Sequence, residues 1–263
     1  MKRLLIAAGL SLVSLGAAAD PIDLSSWTEL TLNFPGGQPS GNWILETGNE
    51  AVTQVVNADP SFYLNNINQT DFSIQGSWEV QTAGDDDYMG FVFGYQNSSN
   101  FYLFDWKQGS QGYAGAVANE GMTIKKFTGG TGNGLVDLSL GEFWSNNVGV
   151  GNSFGDMTVL ATNHGSTAGW ADNTVYDFTL DFLENPNEIS ITVMQGATTL
   201  WDVTVFDSTF SSGEFGFYNY SQSTVRYAGF EQTGGVVVPE PSTLVLLGLG
   251  MLGLGLNRRR LKA

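Results

Sequence analysis

The sequence predicts an all-β protein built as a two-sheet antiparallel sandwich, a jelly roll. Three observations predict it. Apolar and polar residues alternate with period two through almost every segment between turns, the pattern of strands with one face in a core. Helical periodicity is nearly absent. Aromatic residues make up 13% of the chain and fall on the apolar stripes, enough to fill one large shared core.

In chain order, Phe72, Ile74, Trp78 and Val80 form one stripe, Phe91, Phe93 and Tyr95 a second, and Tyr176, Phe178, Leu180 and Phe182 a third. Ile189, Ile191 and Val193 continue the pattern, as do Phe215 and Phe217. Turn clusters separate them: Gly84-Asp85-Asp86-Asp87, Asn97-Ser98-Ser99-Asn100, Asn185-Pro186-Asn187 and Ser211-Ser212-Gly213, all residues that tolerate turn conformations. Residues 129–152 break the rhythm, being rich in Gly and Asn with Leu135, Leu138 and Leu140 as their aliphatic cluster. A stretch this long is expected as an insertion over one sheet edge.

Both ends carry processing signals. Lys2 and Arg3, an apolar stretch over 4–15 and the triplet Ala17-Ala18-Ala19 make residues 1–19 a secretory signal peptide cleaved after Ala19. Residues 234–238 are expected to link the domain, 20–233, to a tail over 239–263. That tail runs Pro239-Glu240-Pro241, an uncharged apolar run over 244–256, then Arg258-Arg259-Arg260. A helix over 244–256 is only about 20 Å long, shorter than the ~30 Å hydrocarbon core, so alone it spans poorly. With the arginines held on the cytoplasmic side it serves as a temporary stop during export. The order of these three features resembles the PEP-CTERM sorting signal of Gram-negative bacteria. The resemblance implies an exosortase-type processing enzyme as partner, transient inner-membrane anchoring before tail removal, and a final place outside the cell or on its surface.

Charge narrows the function classes. Six of the ten basic residues lie at the two ends together with one acid, Glu240, leaving four against 25 acids between them, a balance of −21. Nucleic acid and anionic lipid need a positive surface, so neither is an expected partner of the domain; cations are. The chain has no cysteine and one histidine, His164, which leaves few zinc sites and little histidine-dependent catalysis to consider. His164 sits in the turn-like run Thr162-Asn163-His164-Gly165-Ser166 and is expected on a surface loop.

The most informative segment is Asp85-Asp86-Asp87-Tyr88-Met89-Gly90-Phe91-Val92-Phe93-Gly94-Tyr95-Gln96-Asn97-Ser98-Ser99-Asn100-Phe101-Tyr102, followed by Trp106-Lys107-Gln108. Downstream come Gly169-Trp170-Ala171-Asp172, the strand 176–182, and Phe215-Gly216-Phe217-Tyr218-Asn219-Tyr220-Ser221-Gln222. In this order, over about 71–231, they resemble the C-terminal lectin-like domain of thrombospondins. That resemblance implies a concanavalin-A-like jelly roll, a fold shared by many calcium-dependent binders; a ligand does not follow from a fold. The calcium-rich repeats and epidermal-growth-factor-like modules of that family do not occur here. The segment Asn100-Phe101-Tyr102-Leu103-Phe104-Asp105 lacks the basic start of the animal cell-attachment motif, so receptor binding is not carried over.

The aspartate triplet points to a metal on physical grounds as well. Adjacent carboxylates repel unless a hard cation neutralises them, and calcium takes 6 to 8 oxygen ligands. Side chains in an extended segment alternate, so Asp85 and Asp87 are the expected direct ligands, with Asp86 a third ligand through a turn or a solvent-facing group. The competing account is a solvated acidic turn that discourages edge pairing. Among the aromatics, Trp144 in the Gly-rich insertion is the candidate stacking platform for a sugar, against a plug packed over the sheet edge. Jelly-roll glycosidases place paired acids on one strand face; no Glu-x-Asp-x-x-Glu run occurs, and Asp177 and Asp181 lie opposite the aromatic stripe. The one Gly-x-Ser-x-Gly run near His164, Gly151-Asn152-Ser153-Phe154-Gly155, lies at the end of the Gly-rich stretch with no helical pattern after it, so it does not make the strand-to-helix elbow of a serine hydrolase. The expected function is therefore non-catalytic: a calcium-binding, lectin-like surface or matrix protein, adhesive or associated with extracellular polysaccharide or surface proteins. The alternatives are a secreted carbohydrate-active enzyme and a purely structural envelope component.

Overall fold

A computed structural model describes residues 21–130 and 138–238. The expected signal peptide and the tail with its short apolar helix lie outside the described residues. The strands in chain order are β1 (Thr28–Thr31), β2 (Trp43–Leu45), β3 (Ala51–Gln54), β4 (Ser61–Leu64), β5 (Gln69–Val80), β6 (Tyr88–Asn97), β7 (Asn100–Lys107), β8 (Gln111–Tyr113) and β9 (Ala116–Ala118). They continue with β10 (Gly121–Thr128), β11 (Ser153–Phe154), β12 (Met157–His164), β13 (Val175–Leu183), β14 (Glu188–Gln195), β15 (Thr198–Phe206), β16 (Glu214–Tyr220) and β17 (Val225–Val237). One short helix, α1 (Leu140–Trp144), precedes β11.

Among the described residues these strands form an eight-stranded sheet, β1-β4-β16-β6-β7-β10-β12-β11, and a seven-stranded sheet, β15-β14-β13-β5-β17-β3-β2, with β8-β9 as a separate hairpin. Every pairing is antiparallel. The two-sheet sandwich is as the sequence predicts, and its stripes meet across the interior. Phe91 of β6 stacks on Phe178 of β13 with ring centroids 4.7 Å apart, and Phe217 of β16 stacks on Tyr227 of β17 at 4.7 Å. Gly76 interrupts the β5 stripe for a steric reason: a Cβ there would stand 2.4 Å from the ring of Phe230.

The eight-stranded sheet departs from simple alternation. Its outer face carries a second core, including Phe62, Leu64, Val92, Phe101, Leu103, Phe127, Tyr218 and Tyr220. Strands buried on both faces read as continuous apolar runs, which explains Phe101-Tyr102-Leu103-Phe104 in β7. The cover includes α1, whose Phe143 and Trp144 are buried in this second core. The described part of the insertion from residue 138 on is thus not the edge flap expected but part of a layer over the sheet face. Ser139 caps α1 in a capping box with Glu142, and Glu142 also accepts a bond from the Asp156 amide at 2.5 Å, tying the start of the helix to the turn before β12.

A second difference lies at the end of the domain. Residues 234–238, expected as a linker, complete the last strand: Val236 and Val237 pair with Thr70 and Gln69, and the Val238 amide donates to the Asn68 carbonyl at 2.8 Å.

The loop after β15 is tied down by Asp207, which accepts from the Tyr102 hydroxyl and from Lys126 Nζ, both at 2.6 Å, and from the Thr209 amide at 2.9 Å. Burial opposes ionisation of Asp207, but the hydrogen bonds from Lys126, Thr209 and Tyr102 outweigh it and hold the carboxyl down at about 2. A depressed carboxyl adds stability above its unfolded value, near 4, and loses it as the pH falls toward 2. Asp207→Asn is expected to cost about 1 kcal/mol at neutral pH, allowing for solvent screening, and to flatten the acid limb of stability between those values in urea melts.

Candidate cation site

The three aspartates lie where the chain crosses from β5 in one sheet to β6 in the other. Gly84, with φ of +101°, turns the chain in a conformation that L side chains rarely adopt. One ligand oxygen from each of Asp85, Asp86 and Asp87 lies within 4.8 Å of the others. The carboxylates come together, Asp86 included, because residues 85–87 lie in the connection between strands and are not extended strand with alternating side chains.

A cation already serves two of them. Lys107, at the end of β7 and fully buried, donates to Asp87 Oδ1 at 2.7 Å, to Asp86 Oδ1 at 3.1 Å and to the Asp86 carbonyl at 2.8 Å. Its ammonium also lies 4.8 Å from the Trp144 ring. Asp87 is buried and held on every side: its amide donates to Gln222 Oε1 at 2.9 Å, and its carbonyl accepts from Trp170 Nε1 at 3.1 Å. Gln108 Nε2 reaches Asp172 Oδ1 at 3.2 Å, and Trp106 Nε1 donates to the Ala168 carbonyl at 2.7 Å.

Asp85 lacks such a counter-charge. Its carboxylate accepts from Asn57 Nδ2 at 2.8 Å and from the Asp86 amide at 3.2 Å. Burial, and then the negative charge of Asp87, push its carboxyl up to about 6. One ammonium against three carboxylates leaves the cluster negative when all are ionised. The donor set is all oxygen, which suits a hard divalent ion such as calcium. Gly109 helps to shape it, since a Cβ there would fall 2.5 Å from Asp86 Oδ2.

The sequence reading missed Lys107 as the internal counter-ion, although a lysine at the end of an apolar strand was the signal. Of the two readings weighed for Trp144, exposed platform or packed plug, its burial agrees with the plug. Trp144 is 1% exposed, with Nε1 donating to the Gln111 carbonyl at 3.1 Å. The strand-end residue His164 is half-buried, not on a free loop, with Nε2 2.9 Å from Thr123 Oγ1; burial, and then the charge of Lys125, lower its pKa. Asp177 faces outward, as expected, and lines a shallow groove on the seven-stranded sheet with Gln75, Ser77, Thr179 and Glu231.

The aspartates, Trp106-Lys107-Gln108, Trp170 and Gln222 come from four separate stretches of sequence and converge on one knot. The family profile of the thrombospondin C-terminal region matches residues 38–233 and so contains all of them. The chain belongs to the thrombospondin C-terminal family. Thrombospondin-2 of Gallus gallus is 31% identical over 195 residues, 71% of this chain and 16% of its own length. Cartilage oligomeric matrix protein of Bos taurus is 29% identical over 225 residues, 83% of this chain and 29% of its own length. The chain thus spans less than a third of the length of these relatives. A carbohydrate-binding module from Bacillus subtilis shares the fold at a TM-score of 0.50 and 14% identity, covering 80% of this chain and 96% of that one. The PEP-CTERM protein-sorting motif matches residues 237–260. It implies export beyond the cytoplasm, to the surface or the exterior, and processing by an exosortase.

Proposed function

We propose that this thrombospondin C-terminal domain is a non-catalytic, calcium-stabilised module of the surface or matrix of a Gram-negative bacterium, anchored in the inner membrane until its tail is removed. It associates there with extracellular polysaccharide or with other surface proteins. The observation that carries the reading is the cluster of three aspartates with a single buried ammonium, which leaves negative charge for a divalent ion to neutralise. Asp85 and Asp86 would hold the ion, with Asp87 shared between it and Lys107. Calcium would join the two sheets where β5 crosses to β6. The polar groove around Gln75 and Asp177 offers amide, hydroxyl and carboxylate partners for sugar hydroxyls.

A second reading, a structural envelope component without a soluble ligand, is favoured by the burial of Trp144. Six of the seven tryptophans are buried and the seventh, Trp201, packs partly against the core, so stacking platforms for sugars are scarce.

Calcium titration of the exported domain, residues 20–238, separates the two. A ligand that binds only the folded state adds about 2.7 kcal/mol at a hundred times its Kd, a rise in Tm of about 5–10 °C at this size. We expect that rise in the parent and its loss in Asp85→Asn, which removes a ligand charge without touching Lys107. The same Tm with calcium and with chelator would make the triplet an acidic turn and move the structural reading ahead.

A further inference from the structure

The sorting motif begins inside the fold. Its match starts at residue 237, and Val237 is still paired with Gln69 in the sheet. This strand end is clamped three ways. The Gln69 and Gln232 side-chain amides bond to each other in both directions, at 3.2 and 2.9 Å. Gly235, with φ of +90°, leaves room for that pair, since a Cβ there would meet Gln232 Nε2 at 2.7 Å. The Gln69 backbone is bridged in turn to Gly213, at the entry to β16, by bonds of 3.1 and 3.0 Å.

Only residues 239–243 separate the clamp from the apolar run at 244–256. Five residues reach at most about 17 Å. An enzyme working at the membrane on this stretch therefore cannot avoid the end of the sandwich from which the chain leaves. That end exposes Ile67 (42%), Val236 (58%) and Val237 (64%), and two acids belong to it, Asp71 near the start of β5 and Glu184 just after β13, the Glu184 amide donating to Asp71 Oδ1 at 2.9 Å. The aspartate triplet lies beyond the other end of β5.

We propose that this end of the domain is a docking surface for the membrane-embedded enzyme that removes the tail. The partner surface it fits is apolar at its centre and basic at its rim. The folded domain thus takes part in recognition together with the Pro239-Glu240-Pro241 motif. The proposal rests on the reading that the tail is removed by such an enzyme.

The test follows shortening of the full chain over time, by mass spectrometry, in cells that carry the processing system. Ile67→Asp and Val236→Asp place a carboxylate in the contact; Val175→Asp, at a residue 52% exposed at the opposite end, is the control. The first two are expected to slow shortening about tenfold, the cost of desolvating a carboxylate in an apolar contact, with the control unchanged. A flexible spacer of about ten Gly and Ser residues between Val238 and Pro239 frees the motif from the domain and is expected to abolish the effect of both aspartates. A folding defect would not be rescued in that way. Shortening of both variants at the parental rate, including the case in which this end touches lipid instead, overturns the proposal alone. A parent chain that is never shortened overturns the reading of the tail and the docking surface with it.

Discussion

Replacing Lys125 with methionine is expected to destabilise the domain by about 3–5 kcal/mol, while replacing Lys125 and Asp105 together, by methionine and leucine, returns it to within about 1 kcal/mol of the parent. Both groups are fully buried on the outer face of the eight-stranded sheet, with Nζ 2.5 Å from Asp105 Oδ2. Burial holds Asp105 above the usual carboxylate range and Lys125 below the usual ammonium range. The lysine also donates to the Phe143 carbonyl at 2.8 Å and lies 4.8 Å from the Tyr88 ring, so it fastens α1 to the sheet. Removing it alone strands a buried carboxylate whose ion-pair partner is gone, with only the charge of Lys107 left to act on it, whereas removing both leaves an apolar surface that packs. The deficit of the single variant should narrow as the pH is lowered, because a protonated Asp105 needs no counter-charge. Urea melts of the two singles and the double supply the coupling energy; costs that simply add would show that the pair does not act as a unit.

Trp144→Ala should cost a comparable 3–5 kcal/mol, the usual range for truncating a buried Trp. The indole packs against Tyr88 at 5.5 Å, Tyr220 at 5.6 Å and Tyr113 at 5.0 Å. It also covers the ammonium of Lys107, so its loss admits water to the ion pairs of Asp86 and Asp87. The same variant tests the sequence reading of this residue. A platform for sugar would leave the melting transition in place and abolish glycan binding; a plug would shift the transition. The burial of Trp144 favours the second outcome.

The inward stripes were legible because they obey a local rule. Phe72, Ile74, Trp78 and Val80 point one way whatever lies opposite them, and the same holds for 176–182. The turn at Asn97-Ser98-Ser99-Asn100 was legible too, and it closes the β6–β7 hairpin with Asn97 facing Asn100. Helix α1 was missed although Ser139 and Glu142 stand at capping-box spacing, because five helical residues show no period. The second core was missed because its cover comes from residues far from the strands it covers. The last strand was cut short because Gly234 and Gly235 resemble a linker; their positive φ in fact bends a strand that stays paired.

The sequence by itself determined the fold class, the C-terminal sorting motif, the acidic balance and the place of the aspartate triplet. Each of these is written in neighbouring residues, as a period, a composition or a short motif. Only the tertiary structure decided what the charges do. All four lysines and arginines among the described residues, Lys107, Lys125, Lys126 and Arg226, are paired with carboxylates. Whether a lysine is a solvated charge or a buried counter-ion depends on which strands the sheet brings side by side, and on what covers them. That is long-range information: it sets the burial of Lys107 and Asp87, and through them how much negative charge is left uncompensated at Asp85.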